Sequence, residues 1–145
     1  MKILKFLATT AVLAAATCTA SAQSLEIRKR QADQEAEMAR LTALTNKACG
    51  IDLKTTIATA TFDADEFMQK SVASWCSAAL TALENVCSND MGKKAVAGAI
   101  KSLTCSGAPA FSVELANGEI KYAFPFSSAS NANEQAIRSY LEKHL

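Results

Sequence analysis

The chain has 145 residues, half of them hydrophobic and a fifth charged, with a formal net charge of +1. That is one domain of ordinary size, too apolar for intrinsic disorder and too balanced in charge for a dedicated nucleic-acid binder. Aromatic residues make up only 6% and alanine occurs 29 times, which predicts a thin, mostly helical core; one histidine and two prolines exclude many histidine-based catalytic schemes and proline-rich ligand motifs.

Lys2 and Lys5 open the chain, Leu4 to Ala16 is apolar apart from Lys5, Thr9 and Thr10, and Ala20-Ser21-Ala22 supplies the small residues a signal peptidase reads. Residues 1–22 therefore read as a secretory signal peptide cleaved between Ala22 and Gln23. The apolar run is shorter than the ~20 residues a membrane-spanning helix needs, so no transmembrane span is expected. A lipid anchor on Cys18 is the alternative, opposed by Ala15-Ala16-Thr17, which lacks the usual leucine three residues before the cysteine. Cleavage removes two lysines and no acid, leaving a net charge of −1. Such a chain has no global field to steer it to DNA or to anionic lipid.

Residues 23–48 have helix composition, with Met38, Leu41, Leu44 and Ala48 at helical spacing and Gly50 as the stop. The half before Glu37 has few apolar residues and is expected to project as a solvated leader. Its basic triplet Arg28-Lys29-Arg30 is the candidate interaction surface, for a partner or for oligomerisation through this helix, although the surrounding acids suit a solvated face. From Ile51 to Phe62, Leu53, Thr55, Ile57, Thr59 and Thr61 alternate, as in a strand or an extended connection.

Asp63 is a good helix N-cap and Glu66 completes a capping box, which accounts for the Asp63, Asp65 and Glu66 carboxylates without a metal or a catalytic pair. The stripe Met68, Val72, Trp75/Cys76, Ala79, Leu83, Val86/Cys87 predicts one continuous helix over 64–87, with Trp75 in the core. Ser88-Asn89-Asp90 ends it, and Met91 to Leu103 reads as a second helix folding back. Gly92-Lys93 is not a phosphate loop, because the required earlier glycine is Cys87. Asn117-Gly118 lies between two alternating runs and predicts a two-residue hairpin. Counting outward pairs Ala116 with Glu119, Leu115 with Ile120, Glu114 with Lys121, Val113 with Tyr122, Ser112 with Ala123 and Phe111 with Phe124. Large apolar residues then share one face. A third strand near Ser102 to Cys105 would extend the hairpin. A last helix begins near Asn131 and carries Ala136/Ile137, Tyr140/Leu141 and Leu145, with His144 solvated.

Cys49, Cys76, Cys87 and Cys105 remain after cleavage. An even number in an exported chain reads as two structural disulfides, and the absence of Cys-x-x-Cys spacing argues against redox or zinc chemistry. Cys76 and Cys87 on one helix would stand about 16 Å apart, beyond the roughly 7 Å a disulfide spans. An antiparallel helix pair would bring Cys76 level with Cys105. That favours Cys76–Cys105 with Cys49–Cys87 over Cys49–Cys76 with Cys87–Cys105.

The fold expected is α+β. A leader helix and a disulfide-linked antiparallel helix pair precede a β-hairpin or three-stranded meander, and a C-terminal helix closes the chain. The divisions are signal peptide 1–22, N-terminal helix 23–48 and a compact stapled domain 49–145. In composition the chain is similar to small cysteine-stapled bacterial envelope proteins, a likeness that assigns no residue roles. The expected function is an exported, periplasmic or secreted, non-enzymatic binding or envelope accessory module whose partner is a protein or small ligand. No catalytic residue, cofactor or metal site is expected. The alternative is a small exported hydrolase using paired carboxylates, although no spacing singles out a pair.

Overall fold

The structure, a computed structural model, describes residues 15–128 and 130–145. The basic start and most of the apolar core of the expected signal peptide lie outside the described residues. Helix α1 (Ala15–Cys49) is followed by strand β1 (Lys54–Ile57), a 3-10 turn (Thr59–Thr61), and helices α2 (Ala64–Gln69), α3 (Val72–Val86) and α4 (Asp90–Ala99). Strands β2 (Ser102–Gly107), β3 (Ser112–Ala116) and β4 (Glu119–Phe124) come next, and helix α5 (Ser130–His144) ends the chain. Among the described residues no helix is long and apolar enough to cross a membrane.

The fold is α+β, but its sheet is neither a lone hairpin nor a meander. Four strands stand in the order β1-β2-β4-β3. β2 lies parallel to β4, with Leu103 beside Ile120 and Cys105 beside Tyr122, and β1 lies parallel to β2. β3 pairs antiparallel with β4 from Ser112 with Ala123 to Ala116 with Glu119. Asn117 (φ 54°) and Gly118 (φ 81°) make the turn between them. Two left-handed residues in succession match the twist of the flanking strands. The Gly118 carbonyl also accepts the Lys101 and Ser102 amides, which ties the turn to the entry of β2.

One face of the sheet, carrying Leu103, Cys105, Ile120, Tyr122 and Phe124, is fully buried. α3, which contacts both α1 and α5, meets this face through the Cys76–Cys105 bridge and through Trp75 on Phe124. All of Val72, Ala73, Cys76, Ala79, Ala82 and Leu83 on α3 are buried, so small side chains bring this helix close to its neighbours. Ile137 and Leu141 of α5 close the far side, and Asn133 donates to the buried Tyr122 hydroxyl at 2.8 Å. On α5 it is Asn133, Ile137 and Leu141 that face inward, while Ala136 is exposed.

The two disulfides join Cys49 to Cys87, with Cα atoms 5.2 Å apart, and Cys76 to Cys105, with Cα atoms 6.0 Å apart. The first ties the end of α1 to the end of α3. The second ties α3 to the central strand β2, not to another helix. The expected helix over 91–103 stops at Ala99, Ile100 turns extended, and Ser102 onward enters the sheet. Long-range pairing with β4 outweighs the helical spacing of Val96, Ile100 and Leu103.

The expected single helix over 64–87 is two. Lys70 is extended (φ −112°, ψ 152°) and Ser71 caps α3 by accepting the Ser74 amide at 3.2 Å. Asp63 caps α2, its side chain accepting the amides of Asp65 and Glu66. Glu66 turns away from the expected capping box and pairs with Lys70 at 3.1 Å.

The break is held from outside by α1. Arg30 donates to the Phe67 and Lys70 carbonyls (3.4 and 2.8 Å), which are end groups of α2 that the helix leaves without a partner. One turn on, the Gln34 side-chain oxygen accepts the Ala73 amide at 2.9 Å and the Ser71 hydroxyl at 3.5 Å, satisfying the start of α3. The leader half of α1 is therefore built into the body of the protein. The inward stripe of α1 is also not the apolar one. Leu44 is half exposed and Ala48 exposed, whereas Gln34, Met38, Thr42, Thr45 and Cys49 are buried. Thr42 donates to the Met38 carbonyl and shares a hydrogen bond with Thr55 (2.7 and 2.8 Å), and Thr45 donates to Glu84 at 2.7 Å. Among the described residues no buried side-chain nitrogen or oxygen lacks a partner, the condition under which polar groups are tolerated inside.

Candidate functional site

The three parallel strands end at one edge of the sheet, and a crevice of about 390 Å³ opens there. Its walls come from three separate stretches of chain. Thr61, Phe62 and Asp63 follow β1, Gly107 to Pro109 follow β2, and Phe124 to Ser127 form the end of β4 and its exit. Glu66 of α2 and Lys70 just after it complete the rim. The carboxyl ends of parallel strands are a common place for ligand seats, because the connections diverge there and leave a gap.

Aromatic rings form the apolar part. The Phe62, Phe124 and Phe126 centroids stand 5.5 to 5.7 Å from one another at tilts of 39° to 79°. Trp75, half-buried on α3, stacks on Phe124 at 5.8 Å and meets Phe126 edge-on at 5.8 Å. Gly107 is required at the floor, where a Cβ would come within 2.7 Å of the Thr61 carbonyl oxygen and 2.8 Å of the Phe62 ring. The Gly107 amide donates to the Thr61 hydroxyl at 2.8 Å, fixing that approach.

The polar part is ionic. The Lys70 ammonium lies 5.1 Å from the centroid of Phe126 and 3.1 Å from Glu66. Asp63 engages backbone amides through Oδ1 and pairs with no cation among the described residues. Three acids or other metal ligands do not converge anywhere among the described residues.

The basic triplet divides. Arg28 and Lys29 are exposed, while Arg30 is half-buried on the α2–α3 junction. Cys49, Cys76, Cys87 and Cys105 do not line the crevice; all four are buried in the two bridges. His144 is exposed, stacks on Tyr140 at 4.0 Å and bonds its own helix through the Tyr140 carbonyl. Phe62, Lys70, Phe124 and Phe126 escaped sequence reasoning, because they lie on three separate segments. The one available signal was the crowding of aromatics into Phe62–Phe67 and Tyr122–Phe126 in a chain poor in them.

Two further hollows are lined by described residues. One of about 290 Å³ lies between Ile27 and Gln31 of α1 and the corner at Phe62 and Phe67. Another of about 330 Å³ lies between the start of α4, with the strongly exposed Met91, and the end of α5. Compared with known proteins, the chain matches no family model, no curated protein and no solved structure.

Proposed function

We propose that this is an exported, disulfide-stabilised binding protein, non-enzymatic, whose ligand seat is the crevice at the carboxyl ends of β2 and β4. The observation that carries the reading is the crevice itself, a concave site of about 390 Å³ with three convergent aromatic rings and a small set of charged groups. That size and mixture suit a small ligand. The two bridges support an oxidising compartment. Signal cleavage between Ala22 and Gln23 would leave α1 intact from Gln23 onward, including Arg30 and Gln34. Arg28 and Lys29, exposed on α1, remain available to a partner in the envelope. Hydrolysis by paired carboxylates is disfavoured, because Asp63 and Glu66 at the crevice are both exposed and neither sits in the apolar pocket that a catalytic acid needs.

Two measurements test this. Mass spectrometry of the protein from fractionated cells should find an amino terminus at Gln23, two bridges and a periplasmic or secreted location. A fragment screen followed by Trp75 emission, the signal of the only tryptophan, should yield ligands whose effect disappears in Gly107→Leu. A full-length, reduced, cytoplasmic product would overturn export. A screen without a single Trp75-linked hit would overturn the binding assignment.

A further inference from the structure

Resting on the crevice as the ligand seat, the chemistry of its rim narrows the ligand class. Several of the backbone donors around the crevice are engaged within the fold. The Gly107 amide is given to Thr61, the Ala108 amide to the Phe124 carbonyl at 3.1 Å, and the Asp65 and Glu66 amides to Asp63. Pro109 and Pro125 have no amide to give. The exposed charged acceptors of the rim are the Asp63 and Glu66 carboxylates, set beside the half-buried Phe62 ring and the Phe126 face that Lys70 covers. Two carboxylates against one ammonium leave the rim net negative. The protein also shows that the place suits a cation, because the Lys70 ammonium sits 5.1 Å from the Phe126 centroid with Glu66 as counter-ion. A cation held by both a ring face and a carboxylate is favoured by two independent attractions.

We propose that the crevice binds a small organic cation, an alkylammonium with a short apolar body, whose charge displaces Lys70 from the face of Phe126 and lies between that ring and the carboxylates of Glu66 and Asp63. The apolar body rests against Phe62. Lys70 then acts as a built-in competitor, and its side chain is free to swing out because it is partly exposed and its anchoring to the fold is through backbone. Its carbonyl accepts from Arg30 and its amide donates to Glu66.

The test uses three probes of nearly one shape: choline, its neutral isostere 3,3-dimethyl-1-butanol, and the 3,3-dimethylbutyrate anion. Each is titrated into the oxidised, full-length mature chain and followed by Trp75 emission and by calorimetry. Choline is expected to bind saturably and at least about tenfold more tightly than the alcohol, the size of effect a partly desolvated cation–π contact with a counter-ion supplies. Lys70→Gln should tighten choline several-fold by removing the competitor. Asp63→Asn, which keeps a good N-cap, should weaken it several-fold. Equal or tighter binding of the alcohol or the carboxylate, or weaker choline binding in Lys70→Gln, overturns the cation assignment and leaves the crevice as a seat for other chemistry. No response to choline alongside hits in the fragment screen does the same, and silence in both removes the crevice as well.

Discussion

Gln34→Ala tests whether the leader half of α1 is structural. Gln34 is 4% exposed, and its oxygen accepts the amide of Ala73, which is fully buried. Removing the side chain leaves that amide without a partner, at about 1–3 kcal/mol for an unsatisfied buried donor. Loss of the one buried methylene adds about 0.8 kcal/mol. The Ser71 hydroxyl, which donates to the same oxygen at 3.5 Å, is more exposed and adds little. The expected destabilisation is therefore about 2–4 kcal/mol, read as a lower urea midpoint by Trp75 emission with the slope unchanged. Glu35→Ala, one residue on and exposed, is the control and should stay within about 0.5 kcal/mol of wild type. If Gln34→Ala is as mild as that control, α1 before Met38 does not hold the α2–α3 junction and the leader is an appendage after all.

Three further predictions follow from the same packing. Replacing Cys76 and Cys105 together with alanine opens a loop of 29 residues, and replacing Cys49 and Cys87 opens one of 38. Chain entropy puts each loss at about 3.5–4 kcal/mol, so each pair should lower the calorimetric Tm by roughly 10–15 °C. An unchanged transition in either double variant would show that its bridge contributes nothing. Gly107→Ala forces a Cβ against the Thr61 carbonyl and the Phe62 ring. It should destabilise by about 1–3 kcal/mol and shift Trp75 emission, and a variant that matches wild type in both would place the crevice floor elsewhere. Burial pushes the Tyr122 hydroxyl up from 10.0 to about 12. The folded state thus holds that proton more tightly than the unfolded chain, and the stability it supplies is intact below pH 10 and is lost as pH rises toward 12. Urea midpoints between pH 10 and 12 should fall less steeply in Tyr122→Phe than in wild type, whatever their starting values, and parallel slopes would refute the assignment.

What the sequence determined by itself was what depends on near neighbours in the chain. Asn117-Gly118 dictates a left-handed two-residue turn, and the register of β3 on β4 follows by counting. Asp63 caps α2 because a short oxygen-bearing side chain reaches the amides two and three residues on. Cys76 and Cys87 cannot bond because one helix holds them apart, which leaves two arrangements to choose between. Tertiary structure decided the rest. β2 and β4 are neighbours because Leu103 and Ile120 need a common buried face, and no local pattern says which strand lies beside which. The α2–α3 break is invisible along residues 64–87, since the groups that stabilise it, Arg30 and Gln34, lie more than thirty residues upstream. The buried stripe of α1 reads as polar because Thr42, Thr45 and Gln34 find hydrogen-bond partners on other elements. The crevice belongs wholly to this second class. Its rings and charges come from segments that periodicity cannot connect, and only the convergence of the parallel strand ends brings them within reach of one ligand.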